Sequence, residues 1–302
     1  MDWKTSLKAT GVGAVSGAAI GLAAFFFLTS RQYPSMGAVM FLLVPVVAGF
    51  SIVLVARKPN SAVAAALLSV LFSLVMLVAW GKEGLLCAIL ASPIIVAGLA
   101  IGAGIGIAVR KLIGRLSANQ TTTTGFLLLM GPVLIVGGER VERPTFQHPR
   151  TEILQTTTRA NDPPEIVWSR IVSIDHVESS KPLLMYVGLP IPLRCVTQGH
   201  GVGAKRTCYF NAGYIEETVT AWNPPYYLGL SIDRTHMPGR HWLGFEGAEY
   251  RLQADGRSTL LTRTTIFSSH LHPSWYWRRF ERLGVESEHN YILDNVVRRS
   301  ER

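Results

Sequence analysis

Four stretches of this 302-residue chain contain no charged residue: Thr10–Thr29, Met36–Ala56, Ala62–Trp80 and Leu85–Val109. A helix on the surface of a soluble bundle must show a polar face, and these segments have none. Each reaches or approaches the roughly 20 residues that cross a bilayer. The first is not read as a cleavable leader, because three more runs of the same kind follow it. The lack of Asp, Glu, Arg, Lys and His inside the runs also argues against a transport pathway or a proton relay. The expectation is an anchor of four membrane helices.

Acidic residues are scarce in the same region. Residues 1–143 hold 11 Lys or Arg against 4 Asp or Glu, while residues 144–302 hold 18 against 16. A nucleic-acid binder would gather its excess charge on a soluble domain. Here the excess flanks the apolar runs, as membrane topology requires. Lys4, Lys8, Arg57, Lys58, Arg110, Lys111 and Arg115 fall on one side of a four-helix topology, and Arg31 and Lys82 on the other. The N-terminus is therefore expected in the cytoplasm. Lys82 lies beside Glu83, which reads as a solvated loop charge.

Cysteine is also rare, with only Cys87, Cys195 and Cys208. There is no Cys-x-x-Cys pair, no Gly-x-Ser-x-Gly elbow and no Cys/His nucleophile signature. His236 with His241, and His270 with His272, have no third ligand at a recognised spacing, so no metal or other cofactor is expected. GHGVGAK, Gly199–Lys205, has the glycines of a phosphate loop. A phosphate loop must open a helix, and a strand follows here.

What the apolar runs do contain is glycine at spacings of four. Gly13, Gly17 and Gly21 share a face of the first helix, and Gly98, Gly102 and Gly106 a face of the fourth. Small residues in this pattern let helices approach closely in lipid. The expected use is a specific helix pair, the first against the fourth or copy against copy. A fifth segment, about 121–138, is shorter in apolar content. If it crosses, residues 144–302 lie outside the cytoplasm; if it lies flat, they lie inside. The crossing arrangement is taken as the expectation, giving a multi-pass membrane protein with an extracytoplasmic C-terminal domain.

That second part reads as α+β. Thr151–Thr158 is a strand. NDPPEIVW, from Asn161, starts a helix at Pro163, with Asp162 as the expected cap. Strand-like runs follow at Leu193–Gln198, Ala204–Phe210, Tyr214–Trp222, Tyr226–Asp233, Glu246–Gln253 and Ser258–Phe267, joined by turns at GHGVG, NPP and ADGR. His272–Arg302 is a long amphipathic helix. A turn at Gly201–Val202 would place Cys195 opposite Cys208, within reach of a disulfide.

NDPPEIVW, GHGVGAKR, TAWNPPYYLGLSI, EYRLQADGRSTLLTRTT and the aromatic-rich last helix together resemble the START/Bet v 1-like superfamily, in its polyketide cyclase/dehydrase and lipid-transport branch. The resemblance covers about Thr151–Arg302. It implies a helix-grip fold, a curved antiparallel sheet around a long C-terminal helix, with a pocket for a lipid or another hydrophobic small molecule. No shared catalytic motif transfers. Trp168, Trp222, Tyr250, Phe267, Trp277 and Phe280 are the candidate pocket aromatics, with core packing as the alternative for each. Asp175, Glu217 and Arg263 are candidate pocket acids and bases, or else surface charges. Three readings stay open: a membrane-anchored binding domain, a cyclase- or dehydratase-like enzyme on the same fold, and a domain that docks a membrane partner.

Overall fold

A computed structural model describes residues 3–30, 36–56, 59–116, 120–237 and 242–298. Arg31, Arg57, Lys58 and His241, named above, lie outside the described residues. The chain divides into two compact units: 1–149 with 270–273, and 150–269 with 274–302.

The first unit is helical. It comprises α1 (Trp3–Thr29), α2 (Val44–Ala56, preceded by a π-helical stretch at Val39–Leu43), α3 (Pro59–Ala79), α4 (Leu85–Leu116) and α5 (Gln120–Glu142). Four spans are long and apolar enough to cross a membrane: Ser6–Thr29, Val39–Ala56, Asn60–Ala79 and Leu85–Gly114.

Both glycine stripes are packing surfaces, but not for each other. Gly13 and Gly17 lie against Ala65 and Ser69 of α3 and Ile52 of α2. The stripe on α4 meets α2, where Gly98 faces Pro45 and Gly106 the Phe50 carbonyl. At Gly102 a side chain would collide with the Val46 carbonyl, and at Gly49 with that of Leu99. The expected pairing of the first helix with the fourth gives way because α3, with Ile52 of α2, fills the groove of α1, and α2 fills that of α4. Glu83 is buried rather than solvated.

α5 runs antiparallel to α2. Gly131 faces Val47, Gly138 faces Val39 and Leu43, and the Glu142 carboxylate accepts hydrogen bonds from the amides of Ala38 (2.6 Å) and Val39 (3.1 Å). The last contact satisfies amides that the start of a helix leaves without partners. α5 has 23 residues, or about 35 Å of helix. Its end therefore stands level with the beginning of the α2 span, not with its end.

The second unit is a seven-stranded antiparallel sheet in the order β1-β7-β6-β5-β4-β3-β2. The strands are β1 (Arg150–Ala160), β2 (Pro192–Gln198), β3 (Lys205–Phe210), β4 (Gly213–Asn223), β5 (Tyr227–His236), β6 (Leu243–Asp255) and β7 (Ser258–Ser269). α6 (Pro164–Val172) and a short α7 (Leu183–Tyr186), which the sequence pattern did not reveal, connect β1 to β2. α8 (Ser274–Arg298) is the long last helix. The β2 edge is partly covered by the segment after α6, through paired bonds between Ile174 and Cys195. Covering an edge in this way blunts a template for unwanted pairing.

Asp162 does not cap α6. Pro163 occupies the cap position with no side-chain bond. The Asp162 carboxylate instead pairs with Arg170, two turns along, at 2.5 Å. The Thr259 hydroxyl bonds the Asp162 carbonyl at 2.7 Å and fixes the entry of the helix on the sheet. Register pairs Cys195 with Cys208 across β2 and β3, and the two are joined by a disulfide.

Candidate functional site

Residues of one parity along a strand share a face of the sheet. On β7 the inward set is Leu261, Arg263, Thr265, Phe267 and Ser269. Its partners on β6 are Leu252, Tyr250 and Ala248 for the first three. On β3 and β4 the inward pairs are Arg206 with Glu217 and Cys208 with Ile215. Facing this surface, α8 presents Glu281, Val285, Glu288, His289, Ile292 and Val296, at the spacings of three and four that make one helical stripe. Charged side chains therefore point inward on both layers.

The result is a cluster of ionisable groups in the grip interior. Arg206, only 2% exposed, donates from Nη1 to Glu217 Oε2 at 3.1 Å and from Nη2 to the Ile171 carbonyl at 3.2 Å. Arg263 and Glu288 form a second, half-buried pair at 2.9 Å. The ring of Tyr250, 2% exposed, lies between them, 6.0 Å from the Arg206 guanidinium carbon and 5.5 Å from that of Arg263. His289 is fully buried. Its two ring nitrogens hydrogen-bond Thr265 (2.7 Å) and Thr156 (3.0 Å), tying α8 to β7 and β1.

Burial pushes the Glu217 carboxyl above the ordinary carboxylate range, against the opposing pull of Arg206 and Arg263. Burial, helped by the Arg263 charge, holds His289 down to about 2, so its imidazole is neutral. Arg206 Nε and Arg263 Nε and Nη1 are buried with no hydrogen-bonding partner among the described residues. Such atoms are uncommon, because an unsatisfied buried donor costs about 1–3 kcal/mol, and more when charged.

The six candidate aromatics scatter around this cluster. Trp168 and Trp222 pack edge to face at 5.2 Å within the main core, beside Val167, Leu228 and Val296. Phe267 belongs to a second core with Leu154 and Val285, and Trp277 and Phe280 form an aromatic row with Tyr276 on α8. Of the six, Tyr250 lies against the charged cluster. Of the candidate acids and bases, Glu217 and Arg263 are brought together, while Asp175 is exposed. On α8, Leu283 is exposed at 47%.

The interior of the grip is also less apolar than the sequence led one to expect. Cavities of about 470 and 70 Å³ lie among the helices of the first unit. Arg206, Glu288 and His289 were missed. The available signal was parity: Arg206 shares the face of Ala204 and Cys208, and Glu288 and His289 share the stripe of Val285 and Ile292. Among the described residues, no group of three or more His, Cys, Asp or Glu is placed to hold a metal. His236 stacks on Tyr214 at 4.3 Å.

No family model and no curated protein matches this chain. Solved structures do. A norcoclaurine synthase of Thalictrum flavum is 10% identical over 51% of this chain and 96% of its own, with a TM-score of 0.34. The Zhui aromatase/cyclase of Streptomyces sp. R1128 is 17% identical over 51% and 95%, with a TM-score of 0.35. Aha1 of Colwellia psychrerythraea is 13% identical over 50% and 99%, with a TM-score of 0.33. At these identities the activities of those proteins do not transfer.

Proposed function

We propose that this chain is a membrane-anchored binding protein whose helix-grip domain, of the START/Bet v 1-like kind, takes a hydrophobic small molecule bearing an acidic group. The observation that carries the proposal is the set of three unpartnered guanidinium nitrogens on Arg206 and Arg263 around Tyr250. A core built only for stability does better with apolar residues than with buried ion pairs. A carboxylate or phosphate would accept from the free donors, and the surrounding Trp168, Leu228 and Val296 would hold an apolar body. Entry requires the interior to open, and α7, a single turn with Leu183 and Tyr186 exposed, is the element that would move.

A second reading has its own support. Glu217, whose carboxyl burial shifts upward against the pull of Arg206 and Arg263, is placed where a general acid would be. On that reading the bound molecule is a substrate, and the chemistry is of the cyclase or dehydratase type.

The domain is assigned to the extracytoplasmic side. What supports this is the α5–α2 packing, which brings Glu142 to the same end of the bundle as Ala38, opposite the end that bears Arg110 and Lys111. The Cys195–Cys208 disulfide fits an oxidising compartment.

The test is organic extraction and mass spectrometry of the full chain purified in detergent. An acidic, hydrophobic molecule should leave with the wild-type protein and be depleted at least several-fold in Arg263→Gln. Equal recovery from both proteins would remove the arginines from the site, and recovery of nothing from either would sink the binding function.

A further inference from the structure

The 470 Å³ cavity lies between α3 and α4, with Val53 of α2 at its wall. Its α4 wall is one helical stripe, Val96, Ala100, Ala103 and Ile107, at spacings of three and four. Ala62, Val63, Ala66, Leu67 and Val70 supply the α3 wall. The same α4 stripe continues into Arg110 and Lys111, which line the mouth. Both are exposed, and among the described residues neither forms an ion pair. Among the described residues, no acidic side chain lines the groove. From Val96 to Lys111 the stripe runs about 22 Å, which exceeds half of a hydrocarbon core of about 30 Å. The groove therefore reaches from mid-membrane to the headgroup level of one leaflet. By the distribution of basic residues that leaflet is the cytoplasmic one, where anionic lipids are met.

We propose that this groove binds an anionic phospholipid of the cytoplasmic leaflet. One acyl chain lies along Ala66, Ala100 and Ala103, and the phosphate sits on Arg110 and Lys111. Small side chains leave the space that a chain of methylenes fills, and the two cations give charge complementarity at the one end where a headgroup belongs. This site is separate from the grip interior and stands or falls without it.

The test is native mass spectrometry of the full chain in detergent, with phosphatidylglycerol and phosphatidylcholine of matched acyl chains in equal amounts. The wild-type protein should retain phosphatidylglycerol with a preference of about tenfold. Arg110→Gln with Lys111→Gln should abolish the preference. Lys8→Gln, which removes a charge from the same side of the bundle but away from the groove, should leave it intact. Ala103→Leu, which narrows the groove, should reduce retention of both lipids. Equal retention of the two lipids by the wild-type protein would overturn the proposal. So would an equal loss of preference in Lys8→Gln, which would mean diffuse surface charge. A shift from dimer to monomer in Ala103→Leu with lipid retention unchanged would assign the groove to a second copy of the chain.

Discussion

His289 and Glu217 lie in one interior, and pH acts on them in opposite directions. His289 is held neutral in the folded protein at values where an unfolded chain would protonate it. Below about pH 6.5 the unfolded state binds the extra proton, so stability falls as pH falls, by up to about 1.4 kcal/mol per unit from this one group. Glu217 has a raised value. Its folded form keeps the proton longer, so it favours folding at low pH and loses that contribution as pH rises through its folded value. Thermal melting of the full chain between pH 7.5 and 4.5 should show a falling midpoint in wild type. The fall should be clearly shallower in His289→Gln. An equal slope in the two proteins would mean that the buried imidazole does not stay neutral over this range. Glu217→Gln should change the same curve with the opposite sign, steepening the loss of stability towards acid.

At the scale of elements, the crossing of α2 and α4 is the tightest contact in the bundle. Gly49 and Gly102 each face a carbonyl of the other helix at a distance where no side chain fits. In lipid, where the hydrophobic drive between helices is absent, this close approach is what holds the pair. Gly102→Val should force the helices apart and lower the detergent melting temperature markedly. Gly104→Val, at a position with open space around it, should be nearly silent. Equal effects would mean that the loss reflects valine in a helix and not the crossing. In the sheet, the β2–β3 disulfide closes a short loop, with a sequence separation of 13, and constrains the unfolded chain by about 3 kcal/mol. It also pins the register that keeps Arg206 inward, since a slip of one residue would turn that side chain to solvent.

For the whole molecule, the question is which side of the membrane the grip occupies. The proposed extracytoplasmic placement rests on α5, whose Glu142 accepts from the amides of Ala38 and Val39 at the start of the α2 span. Single cysteines placed at exposed sites such as Glu165 and Asp255, in the chain lacking Cys87, should react in intact cells with a membrane-impermeant maleimide. A cysteine at Lys111 should react only after lysis. Protection of all three in intact cells would put the grip in the cytoplasm and reduce α5 to a helix that does not cross.

The element order of the second unit was legible in the sequence because strand alternation and turn chemistry are local properties. The Gly201–Val202 turn set the Cys195–Cys208 register, and the glycine of ADGR set the β6–β7 turn, where Gly256 takes a φ of +63°. The four apolar spans were legible for the same reason, since length and absence of charge need no partner to be read. What faces what was not. The glycine stripes announced close packing, but which helix filled each groove depended on shapes elsewhere in the chain: mainly α3 for that of α1, and α2 for that of α4. Asp162 had the local signature of a cap, but Pro163 takes the cap position and the Asp162 carboxylate pairs with Arg170, eight residues away. The charged interior was the least visible of all. Arg206, Glu217, Tyr250, Arg263 and His289 come from four strands and one helix, and only strand pairing and the docking of α8 bring them together. Sequence alone determined the segments and their periodicity, because these follow from each residue and its near neighbours. The tertiary structure decided the site, because burial and partnership are properties of residues far apart in the chain.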